Sequence, residues 1–321
     1  MRTITLEEHF LTAGFLQATQ GVRQTSPRME ELTRKLLDLG PGRIADMDAS
    51  SIDMQVLSLS SSGLDKLDAS IATSLAQDTN DQLAAAVSAH PDRFAAFATL
   101  ALHEPAKAAL ELERCVKQLH FKGLIVSGTL NGLFIDDPRF TPVLESVASL
   151  DVPIYVHPGL PPKPVADIYF SGLPAAISFA LSMAGWGWHA ETGLHCMRLM
   201  LSGAFDRFPN LKVIVGHMGD HLPFNIARAD RVFSEMSGPN APFKRRLLDY
   251  FRDHFYLTTS GYFDIQPFIC ARDVIGLDRI LFSIDYPYSS NADGRKFLDS
   301  LPVTPAELEK ISHTNAEQLL S

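Results

Sequence analysis

The sequence predicts an α/β fold: a (β/α)8 TIM barrel with an inserted loop-and-helix region over its C-terminal mouth. Three observations predict it. Eight short β-branched runs recur along the chain, helix-like stretches separate them, and 321 residues at 46% hydrophobic content are enough to bury one large core. Strands are expected at Thr3–Leu6, Met54–Leu59, Phe94–Thr99, Gly123–Val126, Pro153–Val156, Lys212–Val215, Tyr256–Thr259 and Arg279–Ser283. Helices are expected at Ser70–His90, Pro105–Leu119, Pro138–Leu150, Thr192–Phe205, Leu222–Ser234, Pro242–His254, Ile265–Ile275 and Pro305–Leu320. Strands alternating with helices imply right-handed crossovers and a parallel sheet, and eight such units favour closure.

Element boundaries carry their own signals. His90-Pro91-Asp92 ends a helix ahead of a strand, and Thr304-Pro305-Ala306-Glu307 reads as an N-cap, a proline at the first helical position and an acidic first turn. Thr12–Gly40 has weak periodicity, which suits a long loop with a helix over the mouth. No repeat, low-complexity tract or linker divides the chain, so residues 1–321 are expected to form one domain. The most apolar window, Leu173–Trp188, is interrupted by Pro174, Gly185 and Gly187 and is too short to span a bilayer. It is expected to be a buried helix and loop, with a place in a subunit contact.

Bulk properties narrow the function. The net charge of -9 comes with no basic stripe, so no nucleic-acid partner is expected. Cys115, Cys196 and Cys270 are widely spaced and form neither a disulfide framework nor a zinc-finger pattern, which suits a reducing compartment. Glu7 and Glu8 stand where a signal peptide needs apolar residues, so a cytoplasmic location and no membrane association are expected.

Parallel barrels carry their chemistry at the C-terminal ends of the strands. Those ends offer Glu7, Glu8 and His9; Ser60, Ser61 and Ser62; His157; His217, Asp220 and His221; Thr259 and Ser260; and Asp285. Glu7 and His9 are two apart, so on a strand they project to one face and form half a metal site. His157 and Asp285, each ending another apolar run, supply the other half. Two histidines with two carboxylates suit a single Zn²⁺, Mn²⁺ or Fe²⁺ ion. Glu8, opposite in pleat phase, is expected behind the site or in solvent.

Glu7-x-His9, Val156-His157-Pro158, Val215-Gly216-His217-Met218-Gly219-Asp220 and Phe282-Ser283-Ile284-Asp285-Tyr286-Pro287 together resemble the amidohydrolase superfamily. Within it the sequence is most similar to the metal-dependent, non-oxidative decarboxylases of aromatic acids, the γ-resorcylate and 2,3-dihydroxybenzoate enzymes among them. The resemblance implies one divalent metal ion, Zn²⁺ or Mn²⁺, on Glu7, His9, His157 and Asp285. It further implies a proton-transfer role for His217, an acidic partner in Asp220, a substrate-contacting Arg228, and a homodimer or homotetramer. The strand-one Glu-x-His, and a fourth strand ending Ile125-Val126-Ser127-Gly128 with no lysine, favour a mononuclear site over the two-metal pattern of the classical hydrolases.

An ortho-hydroxylated aromatic carboxylate suits such a site. Protonating the carboxyl-bearing ring carbon makes a ketone-like tautomer, and the C–C bond then breaks with its electrons returning to the ring. Asp285, or His217 with Asp220, are the proton donors the sequence allows. The runner-up activity is metal-dependent hydrolysis of a lactone or amide; a metal-binding protein without turnover comes last. Of the remaining histidines, His90 and His103 are expected to be structural and His195 to serve loop packing. Phe10 and Phe263 are the aromatic residues singled out to face a substrate ring.

Overall fold

A computed structural model describes residues 1–19, 26–60 and 63–321. Every expected strand position is filled: β1 (Ile4–Phe10), β2 (Met54–Leu59), β3 (Phe94–Ala96), β4 (Ala98–Thr99), β5 (Leu124–Ser127), β6 (Ile154–His157), β7 (Val213–Val215), β8 (Phe255–Thr258) and β9 (Ile280–Leu281). Neighbouring strands pair in parallel in the orders β1-β2-β3 and β4-β5-β6-β7-β8-β9.

The expected strand Phe94–Thr99 divides at Phe97 because its two halves serve different neighbours. Phe97 N–H bonds the Leu57 carbonyl at 2.9 Å, whereas Ala98 N–H turns to the Gly123 carbonyl at 2.8 Å. Across the β9–β1 seam the bonds are irregular: His9 N–H to the Tyr286 carbonyl and Glu7 N–H to Ser283 Oγ, each 2.7 Å. A hydroxyl therefore stands in for a strand carbonyl where the ring comes round.

The barrel interior is packed, as the fold requires. Ile4, Leu6, Val56, Phe97, Ile125, Tyr155, Ile214 and Leu281 form one buried cluster, which Ala316 and Leu319 of the C-terminal helix close from the N-terminal end. The larger apolar cluster lies between the sheet and the outer helices. Behind His157 two backbones come close: a Cβ on Gly159 would lie 2.5 Å from Gly128 Cα, and Gly128 itself has φ +61°, so both positions need glycine.

Most expected helices are present, among them Ala69–Ala89, Pro105–Lys117, Thr141–Leu150, Leu222–Met236 and Ile265–Ile275. Thr304 and Glu307 form a reciprocal capping box. Three readings need correction. Thr12–Gly40 is more helical than expected, with Ala13–Thr19 and Pro27–Leu37 separated by residues outside the described set. The fourth of the expected helices begins at Gly187 rather than Thr192, so His189 is helical, and His195, expected to serve loop packing, packs from within the helix. Leu173–Trp188 contains a helix, Ala175–Ser182, but is not buried: Leu173, Ile177, Phe179 and Trp186 are all more than half exposed.

Candidate active site

The site begins with a change of pleat phase in β1. Ile4 and Leu6 point into the barrel, so strict alternation would send Glu8 inward next. Instead the register against β2 shifts between Thr5 and Glu8, a bulge that advances the phase by one residue. Glu7 and His9 thereby take the inward positions, inside the strand rather than at its end. Both are essentially without solvent exposure.

Three ligand-type atoms converge there, and a fourth, from Asp285, stands beside His9. His157 Nε2 lies 3.1 Å from Glu7 Oε1, and Asp285 Oδ1 lies 3.3 Å from His9 Nε2. Glu7, His9 and His157 each offer an atom within 4.8 Å of the others. Glu7 Oε1 and His9 Nε2 are buried with no hydrogen-bond partner among the described residues. Buried polar atoms are ordinarily satisfied, and two such atoms facing a shared space fit a cation. The tautomers fit too. His157 Nδ1 lies 2.8 Å from the Pro158 carbonyl, which can only accept, so Nε2 keeps its lone pair for a metal. His9 Nδ1 is paired with Ser58 Oγ at 3.3 Å.

The electrostatics describe the cluster held by protons alone. Burial pushes the His9 imidazole down to about 4. Burial alone would raise Glu7, but His217, His157 and His9 outweigh it and hold it well below the ordinary carboxylate range. Asp285 rises to about 8, from burial first and then repulsion by Glu7. For His217, burial works downward, yet Glu7, Asp220 and Asp285 prevail and lift it to about 10.

Several supporting residues escaped the sequence reading. Tyr155 donates its hydroxyl to Glu7 Oε2, and Thr258 Oγ1 is 3.0 Å from that hydroxyl. The available signal was spacing, since Tyr155 stands two before His157 on the same face. Gly216 leaves room for Glu7: a Cβ there would lie 2.5 Å from Glu7 Oε2. Glu8 is buried, which rules out the solvent alternative. It accepts from Ile284 N and Tyr286 N, both at 3.0 Å, and so grips the backbone on either side of Asp285. Burial pushes its carboxyl up to about 8.

His217 and Asp220 sit on an uncommon loop. His217, Met218, Gly219, Asp220 and His221 all have positive φ, and four of them carry a Cβ. Such residues cost about 1–3 kcal/mol each and persist where surrounding structure enforces them. The result is that His217 Nε2 reaches to 3.6 Å from Glu7 Oε1, while its Nδ1 lies 3.5 Å from Asp220 Oδ1. Asp220 is in turn 2.6 Å from His189 Nδ1.

With this geometry in view, comparison with known proteins is informative. The family model described as amidohydrolase matches residues 28–321. The chain belongs to the amidohydrolase family. Its relatives in that family include the gamma-resorcylate decarboxylase of Polaromonas sp. strain JS666, 38% identical over 98% of this chain and 97% of the relative. The fold is similar to the crystal structure of a 2,6-dihydroxybenzoate decarboxylase complexed with 2,6-dihydroxybenzoate, with a TM-score of 0.92 and 38% identity over 100% of this chain and 98% of that one. It is equally similar to the dihydroxybenzoic acid decarboxylase of Polaromonas sp. JS666 with bound manganese and the inhibitor 2-nitroresorcinol: TM-score 0.92, 38% identity, 99% of this chain and 96% of that one. The family's barrel architecture is therefore this chain's fold.

Other singled-out residues lie elsewhere in this amidohydrolase. Arg228 is exposed on Leu222–Met236 and pairs with neither Asp220 nor Asp230, which are held by His189 and Arg246. His195 Nε2 accepts from Ile135 N at 3.1 Å, a packing role on a helix. His221 packs at a tilt against Trp186, 4.7 Å between centroids. Phe10 is core, and Phe263 packs on Phe297 rather than facing the mouth. Both ring nitrogens of His103 are buried without a partner among the described residues. Ser60 bonds Tyr288 at 2.5 Å, while Ser61 and Ser62 lie outside the described residues.

Removing the Tyr155 hydroxyl tests the support of Glu7. Tyr155→Phe is expected to weaken metal affinity about 10- to 100-fold, as loss of such supporting partners does. Competition with a fluorescent chelator measures it, and unchanged affinity would show that Glu7 needs no such donor.

Proposed function

We infer that this chain catalyses metal-dependent, non-oxidative decarboxylation of a hydroxylated aromatic carboxylic acid. One observation carries the reading: Glu7, His9 and His157 offer ligand atoms within 4.8 Å of one another, Glu7 Oε1 and His9 Nε2 among them unsatisfied and Asp285 Oδ1 3.3 Å from His9, in a chain similar over nearly its whole length to decarboxylases, one solved with manganese. Glu7, His9, His157 and Asp285 hold the divalent ion, manganese rather than zinc on the strength of that relative. When bound, the ion would supply Lewis acidity and charge stabilisation to the substrate's oxygens.

The chain's own groups then divide the work. Asp285 is the member of the cluster most open to the mouth, with 18% of its side chain exposed against 0% for Glu7 and 1% for His9. It delivers its proton to the carboxyl-bearing ring carbon; carbon dioxide leaves, the bonding electrons restore the ring, and solvent at the mouth returns the proton. His217, whose Nε2 lies 3.6 Å from Glu7 Oε1, presents that nitrogen on the side where the substrate oxygens would lie. Asp220 stands on the far side of the imidazole. A cavity at the ends of β2, β4 and β5 is lined by Leu59, Leu100 and Leu133 together with Ser60, Thr99 and His103, and none of the four proposed ligands lines it.

The remaining proposals concern setting. No helix among the described residues is long and apolar enough to cross a membrane. A cytoplasmic, single-domain enzyme acting on a small aromatic carboxylate is consistent with that. The exposed apolar side chains of Ile177, Phe179, Trp186 and Phe224 favour a homodimer or homotetramer. Arg228, exposed within two turns of the start of its helix and without an acidic partner among the described residues, is offered as a carboxylate contact.

Four measurements follow. Incubated in D₂O with 2,6- or 2,3-dihydroxybenzoate, the metal-loaded enzyme releases CO₂ and places one deuterium on the ring. Asp285→Asn lowers kcat by at least about 10²-fold, the low end for a lost general acid. Carboxylate release from a lactone without CO₂ would replace the reading with hydrolysis, and full activity of Asp285→Asn would remove Asp285 from the reaction. Arg228→Ala raises KM with kcat little changed; an unaltered KM returns Arg228 to the surface. Light scattering gives a mass of two or four chains, and a monomer at micromolar concentration would contradict the proposed assembly.

A further inference from the structure

His189 is buried in the first turn of Gly187–Leu201, and the reading above gives it neither a metal nor a proton to deliver. Its ring is nevertheless fixed at both nitrogens. Nε2 lies 3.0 Å from the Ala184 carbonyl. A carbonyl only accepts, so Nε2 carries a hydrogen. Nδ1 lies 2.6 Å from Asp220 Oδ1, a separation that places one proton between ring and carboxylate.

Asp220 has little else to orient it. Its Oδ2 is buried with no hydrogen-bond partner among the described residues, and His217 Nδ1 is in the same condition. His217 Nδ1 approaches Asp220 Oδ1 to 3.5 Å, an ion-pair distance and not a hydrogen bond; His189 fixes that carboxylate, and its own ring lies edge-on to His217 at 5.0 Å between centroids. A competing use of the three groups would be a second cation, since their ligand-type atoms lie within 4.8 Å of one another. Two ligands about 2.0–2.1 Å from one tetrahedral ion stand about 3.3 Å apart. The observed 2.6 Å is a hydrogen bond instead.

We propose that His189 is a positioning residue for His217, acting through Asp220. Resting on the decarboxylase reading for its catalytic consequence, the assignment also links the mouth to the reaction centre. Ala184 belongs to the turn that carries Trp186, and Trp186 packs at a tilt against His221 next to Asp220. The turn over the mouth and the orientation of His217 are therefore held by one connected set of contacts.

Two variants separate the nitrogen from the ring. His189→Phe keeps an aromatic ring and removes both hydrogen bonds. His189→Asn keeps an N–H directed at Asp220 and gives up the Ala184 contact. In the enzyme, kcat falls about 10- to 100-fold in His189→Phe with KM and metal content near wild type, while His189→Asn recovers most of the loss. An independent readout uses [15N]histidine-labelled protein loaded with diamagnetic Zn²⁺, with the His217 signals identified by their absence in His217→Gln. In wild type and His189→Asn, Nδ1 of His217 gives the signal of a protonated nitrogen facing Asp220; in His189→Phe that signal moves toward a mixture of tautomers. Unchanged His217 signals in His189→Phe would overturn the proposal, and so would equal losses of kcat in the two variants. A wild-type protein that releases no CO₂ would overturn the decarboxylase reading alone, leaving the nitrogen spectra to decide the role of His189.

Discussion

Glu7 is a carboxylate buried completely inside a barrel, with one oxygen held by Tyr155 and the other facing His157, His9 and Asp285 unsatisfied. Burying a charge is costly unless it is paired or coordinates a metal. His217 is the largest influence holding Glu7 ionised, while burial and Glu7 push Asp285 toward its neutral form. A divalent cation resolves the same conflict with one charge at the centre and reverses the local preference for protonation. Much of the surrounding architecture follows from keeping that carboxylate in place.

The bulge in β1 turns Glu7 and His9 inward while leaving Glu8 free to hold the backbone around Asp285. One tripeptide thus places two ligands directly and a third by its neighbours. Gly216 leaves the space that Glu7 Oε2 occupies, and the left-handed run from His217 to His221 bends His217 back over it. The strain of that run is tolerable because its residues are anchored by packing: Met218 lies in the main apolar cluster and Asp220 is bonded to a helix through His189. Fold and site are coupled at the same few residues.

The barrel was legible in the sequence because burial imposes a period on strands and helices alike. Runs such as Met54–Leu59 and Ile154–His157 announce themselves, and a polar residue closing an apolar run, like His157 or Asp285, stands out at a strand end. What stayed hidden depends on three-dimensional phase. Alternation cannot show that Ile4, Leu6, Glu7 and His9 all face inward, because a bulge has no fixed residue signature here. Tyr155 reads as another apolar strand residue until its hydroxyl meets Glu7. The exposed face of Leu173–Trp188 reads as core because hydrophobicity alone does not say whether its cover lies within the same chain.

Metal stoichiometry tests the account most directly. Purified protein, dialysed after loading with Mn²⁺ and measured by inductively coupled plasma mass spectrometry, should retain one ion per chain, and Glu7→Gln should retain none while remaining folded by circular dichroism. Wild-type protein that retains no divalent ion, or Glu7→Gln that retains a full complement, would contradict the claim that this buried carboxylate exists to hold a cation.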